Sequence, residues 1–145
     1  MKRVIKFRGK RLTDGKWIYG DFFRNRRLAF IAADGIVENP LASWQDYNVD
    51  PDTVGQFTGL YDREGNEIFE GDVVTGLEYA DFHTGDDGNV NAVVVWDTEW
   101  ASFMLYAGCR VNIRPCADIR RRIRVTGNIH DNPSLLEGGL KCFTL

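Results

Sequence analysis

Thr53 to Val74 reads TVGQFTGLYDREGNEIFEGDVV, and the division of this stretch into arms and corners decides the fold. Val54, Phe57 and Leu60 are the apolar positions of one arm, and Ile68, Phe69, Val73 and Val74 those of the other. Between them lies Asp62-Arg63-Glu64-Gly65-Asn66, a polar loop with a glycine where a longer hairpin turn needs a left-handed residue. Asp62 is placed to accept from amides two residues on, which starts such a turn. Gly71-Asp72 then permits a bend before the β-branched run Val73-Val74-Thr75. The stretch is therefore read as a β-hairpin followed by a sharp corner.

Working outward, the chain opens on a second hairpin. Arg3 to Arg8 alternates, Thr13-Asp14-Gly15 supplies the turn, and Trp17-Ile18-Tyr19 returns towards Gly20-Asp21. Its spacing echoes the central stretch, so both Gly-Asp corners are expected to be backbone features. Leu28 to Ala32 reads as a third strand, closed by Asp34-Gly35. Glu38 to Asp52 reads as an irregular connection with a short strand over Trp44 to Val49, and Asp50-Pro51 suits a single helical turn. Further strands are expected at 73–79, 92–96, 100–107 and 119–125, with a helical turn from Asn132-Pro133 to Leu136.

Many short strands at this spacing predict an all-β or β-dominated fold, built from antiparallel hairpins as a small barrel or two packed sheets. The expected organisation is one domain over 1–137, divisible into 1–50 and 51–137, with a flexible tail over 138–145. No apolar run approaches the ~20 residues of a membrane helix, and the basic N-terminus lacks an apolar region behind it, which points to the cytoplasm.

The residues quoted above also resemble a known family. TVGQFTGL followed by D-x-x-G-x-x-I-F-E-G-D-V-V looks like the signature of the YopX family of bacteriophage and prophage proteins. The likeness extends to Ile5-Lys6-Phe7-Arg8-Gly9 with Trp17 to Asp21, and to Val125 through Pro133 with Leu135-Leu136-Glu137. It implies a small, mainly β protein of phage origin, for which the cytoplasm expected above would be that of the host cell. It implies no catalytic residues, and none are carried over.

Chemistry-bearing motifs are sparse. Cys109, Cys116 and Cys142 are odd in number and lack C-x-x-C spacing, so neither a disulfide framework nor a zinc site is indicated. Asp87-x-Asn89-x-Asn91, within the acidic loop 81–91, copies half a calcium loop, but Ala92 replaces its glycine and Thr98 its bidentate glutamate. A solvated loop is the expectation there, with cation binding the alternative. His130-Asp131 is a possible acid-base pair, yet no nucleophile is marked beside it, and a turn ahead of a helix explains both. No catalytic residue, cofactor site or metal site is assigned.

Charge is distributed in blocks. Residues 1–27 hold ten Lys and Arg against two Asp, whereas residues 28–99 hold one Arg against sixteen acids. Read as a strand, Ile119 to Val125 would align Arg120, Arg122 and Arg124 on one face, a row of like charges calling for acids or phosphates. At least two of the three are expected to meet carboxylates, within the molecule or across a subunit contact. Two functions fit: a non-enzymatic module that self-associates or binds a protein partner, or a single-stranded nucleic-acid binder using Arg120, Arg122 and Arg124.

Overall fold

A computed structural model describes residues 2–78, 89–107 and 112–136. The fold is β-dominated, with two antiparallel sheets and three short helices among the described residues. Of the two expected architectures, a closed barrel is not formed among the described residues. The chain makes two compact units, Met1–Gly59 and Leu60–Leu145.

The first unit begins with β1 (Phe7–Lys10), β2 (Trp17–Asn25) and β3 (Leu28–Ala32), followed by α1 (Asp34–Val37), α2 (Trp44–Tyr47) and β4 (Asn48–Val49). A 3-10 turn, Pro51–Thr53, leads into β5 (Gly55–Tyr61), which carries the chain from one unit to the next. Alternation on these strands sorts the apolar side chains. Ile18 and Phe22 of β2 share a face with Ala29 and Ile31 of β3, and with Phe7, Val49, Val54 and Ile36 they form the core of this unit. The expected turn at Asp50-Pro51 is present, with the Asp50 carboxylate accepting from the Asp52 amide at 3.0 Å. Thr53 ties it to β1, its Oγ1 accepting from the Lys10 amide at 2.8 Å.

Two local expectations need correction here. Trp44 to Tyr47 is helical, because Ser43 and Asp46 close a capping box in which the Asp46 carboxylate accepts from the Ser43 amide at 2.7 Å. Gly20-Asp21 is no corner. Gly20 lies inside β2, where a Cβ would stand 2.0 Å from the Ala32 carbonyl oxygen, so close strand approach explains the glycine.

The second unit contains β6 (Glu67–Phe69), β7 (Asp72–Glu78), β8 (Asn89–Asp97), β9 (Ser102–Tyr106), β10 (Asn112–Ile113), α3 (Ala117–Arg120) and β11 (Arg124–Asn128). A 3-10 turn over Pro133–Leu136 follows, as expected. The sheets run β4-β3-β2-β1-β5-β6 and β10-β9-β8-β7-β11. Ile68, Val74, Leu77, Ala92, Val94, Phe103, Leu105, Ile119 and Ile123 form the main core of this unit. A smaller cluster gathers Val73 and Val93 against Ile129, Leu135 and Leu136. Each fully buried aliphatic side chain contributes about 1.5–3 kcal/mol against exposure, so this core supplies the main drive for folding.

The arginine run does not make a strand from Ile119. Ala117 to Arg120 is helical, a turn follows, and β11 starts only at Arg124. The cause is visible in burial: Ile119 and Ile123 are both buried, and a spacing of four brings them to one side of a helical turn. The Ile123 amide completes it by donating to the Ile119 carbonyl at 3.2 Å.

Candidate functional site

Asp62 organises the central stretch. One carboxylate oxygen accepts from the Glu64 and Asn66 amides, each at 2.9 Å. The other accepts from the Val125 amide at 2.9 Å and the Asn66 side-chain amide at 3.2 Å. The loop is thus bound to itself and to β11 through one side chain that is 6% exposed. Burial pushes the Asp62 carboxyl up, but the bonds from Val125, Asn66 and Glu64 outweigh it and hold the carboxyl below its ordinary value. Gly65 has φ +85, the left-handed geometry that the loop requires.

Other acids are used in the same way. Asp72 is 1% exposed and accepts from the Phe69 amide at 2.7 Å. Asp97 accepts from the Glu99 and Trp100 amides at 2.8 and 3.0 Å, and from the Tyr106 hydroxyl. That hydroxyl bond holds the Asp97 carboxyl low and pushes the Tyr106 phenol up to about 12. Asp14 is gripped by the Arg11 guanidinium, at 3.0 Å to Nε and 2.6 Å to Nη2, which draws its carboxyl down to about 2.

The residues singled out for function separate. Arg122 faces Asp118 at 3.7 Å across one helical turn, whereas Arg120 and Arg124 make no ion pair among the described residues. Among the described residues, one of the three arginines meets a carboxylate of the same chain. Arg120 ends α3, Arg122 sits in the turn and Arg124 opens β11 opposite Thr75, so they form no single row. His130 lies in the turn after β11, as expected, with its amide donating to Asn128 Oδ1 at 3.0 Å. Asn128 organises that turn, since the same oxygen also accepts from the Asp131 amide at 2.9 Å. Cys116 is an exposed free thiol. Cys109, Cys142, the tail over 138–145 and all but the end of the acidic loop lie outside the described residues. Among the described residues, no group of three or more His, Cys, Asp and Glu side chains is placed to hold a metal ion, and no helix is long and apolar enough to cross a membrane.

Two hairpins present large side chains to solvent. In the second unit, Trp96 and Trp100 at the β8–β9 connection are 45% and 61% exposed, and Trp96 meets Phe103 edge to face at 5.1 Å. In the first unit, β2 and β3 pair through Asn25 and Leu28, leaving Arg26 and Arg27 as a two-residue loop. Phe23 stacks on Phe30 with centroids 4.8 Å apart and planes 9° from parallel, yet Phe23 remains 49% exposed. Arg24, Asn25, Arg26 and Arg27 are all exposed at this tip.

With this geometry in hand, comparison with known proteins places the chain. Residues 6–137 match the family model described as YopX protein. The chain belongs to the YopX family. Its structure is similar to the crystal structure of protein EF1440 from Enterococcus faecalis, with a TM-score of 0.51 and 22% identity over 94% of this chain and 100% of that one. That likeness shows the fold. The comparison with curated proteins returned no match.

For this YopX-family chain, sequence reading counted Arg24, Arg26 and Arg27 only as part of a basic block. The structure divides that block by use. Lys6 lies over the Phe57 ring at 5.4 Å, and Arg8 and Lys10 lie over Trp17 at 4.7 and 5.7 Å, so these cations serve the sheet through ring contacts. The three arginines of the β2–β3 tip lie beyond those rings. Residues Asn25 to Leu28 carried a usable signal, a two-residue connection between alternating arms, although Arg-Arg is unusual turn chemistry.

Proposed function

We propose that this chain is a non-enzymatic interaction module of phage origin, working in the host cytoplasm by binding a second copy of itself. The observation that carries the reading is the outward pair Trp96 and Trp100 on a hairpin braced by Asp97. Tryptophan is enriched among residues that dominate binding energy, and a rigid hairpin holds these rings at little entropic cost. A symmetric contact would bury the same pair from both copies. A different protein partner at the same rings is the second form of this reading. Nucleic-acid binding by Arg120, Arg122 and Arg124 draws less support, since their row is broken.

Light scattering on the purified chain tests it. The expected result is a mass at least twice the 16.5 kDa of one chain, unchanged by high salt because the contact is apolar. W96A/W100A is expected to return the mass to that of one chain. A single-chain mass at every concentration contradicts self-association.

A further inference from the structure

We infer that the β2–β3 arm is a contact site for single-stranded nucleic acid, with Arg26 and Arg27 at the tip on phosphates, Arg24 reaching a phosphate from the opposite face of the ribbon, and Phe23 beneath a base. This goes beyond the self-association reading and concerns a different hairpin. Four features of the arm converge on it.

First, Arg24, Arg26 and Arg27 are exposed within four consecutive positions and form no ion pair among the described residues. Arg24 Nε donates to the Arg26 carbonyl at 3.1 Å, a bond that steadies the tip without neutralising it. Asp21 is the acid on this strand, and it lies towards the base of the arm, paired with Ala32. Second, all three cations are arginines, whose planar guanidinium binds phosphate through paired donors where lysine offers a point charge.

Third, Phe23 is fixed by Phe30 in a parallel stack and remains half exposed. A ring held in place is a stacking platform that needs no reorganisation, and every base has a face that fits it. A duplex keeps its bases stacked internally, so the arrangement favours unpaired strands. Fourth, Arg26 has φ +55, a conformation glycine would adopt with less strain. The chain keeps a charged side chain at a turn position that local geometry would assign to glycine.

Acidic protein surfaces also attract arginine, but they offer no repeated flat face for Phe23. Charge and ring together therefore select a strand of nucleotides.

The test is fluorescence anisotropy with labelled oligothymidylate and oligouridylate of about 16 nucleotides, which separates DNA from RNA. A duplex of the same length and polyglutamate serve as competitors. The wild-type chain is expected to bind at least one single strand at low salt. The R24A/R26G/R27A variant is expected to flatten the slope of log affinity against log salt by about 2, from the loss of three phosphate contacts. F23A and the volume-keeping F23L are each expected to weaken binding about tenfold, as loss of one stacked base predicts. R26G should melt no lower than wild type, since glycine suits the turn, so its loss of affinity will not reflect unfolding. None of these variants should change the mass measured by light scattering, which keeps this test separate from that of self-association. No binding of either strand by the wild type, unchanged affinity in the triple variant, or equal competition by the duplex or polyglutamate would each overturn the inference.

Discussion

The D62A variant is expected to lose about 3 kcal/mol or more of stability at neutral pH, a large share of the 5–15 kcal/mol typical of a folded domain. The side chain is almost wholly buried, and alanine would leave the amides of Glu64, Asn66 and Val125 without their acceptor. Water can reach the first two at the exposed loop, which limits their share. The Val125 bond weighs more, because it ties the hairpin loop to β11 and so closes a long loop of chain. Hydrogen bonds to a charged acceptor contribute about 1.5–3 kcal/mol each in such settings. D62N keeps one acceptor oxygen and should lose roughly half as much. Urea denaturation checks both, with the midpoint moving down and the slope unchanged. A D62A midpoint equal to that of wild type would refute the bracket.

Gly76 carries the second large effect. It has φ +99, and a Cβ there would stand 2.4 Å from the Arg122 carbonyl oxygen. Its position coincides with the shift in register between β7 and β8, between Val74 and Leu77. The glycine therefore lets β7 bulge while the turn after α3 presses against it. G76A combines backbone strain of about 1–3 kcal/mol with a clash against backbone that cannot swing aside. A loss of about 4 kcal/mol or failure to fold is expected, read by thermal melting and circular dichroism. A soluble G76A protein with a wild-type melting temperature would contradict this packing.

What could be read from the sequence was the local chemistry that also decides the structure. Asp62 with Gly65, Asp50 with Pro51, and Asn132 with Pro133 each solve a turn within a few residues, and each was legible. Ser43 with Asp46 carried the same kind of signal, but the aromatic run behind it suggested a strand. The arginine run reads as an alternating strand, yet Ile119 and Ile123 stand four apart and bury together on a helical turn. Gly20 and Gly71 look alike in sequence yet serve different needs, close approach in one and φ +86 in the other. The β2–β3 arm was hidden for a deeper reason. That Phe23 lies against Phe30 depends on strand register, and that Arg24, Arg26 and Arg27 gather at one exposed tip depends on the pairing of β2 with β3. Neither follows from spacing along the chain.

Buried carboxylates act in this fold as brackets for backbone amides. Asp62 is the clearest case, and its sign is fixed: a carboxyl held below its unfolded value stabilises the fold above that value. The contribution is then lost as pH falls through the folded-state value. A catalytic acid or base would instead be tuned towards neutrality. The most direct measurement is a carbon-detected NMR titration of the Asp62 carboxyl in the intact chain. The account predicts a midpoint below the 3.8 of an ordinary aspartate, while a midpoint raised towards neutral pH would contradict it.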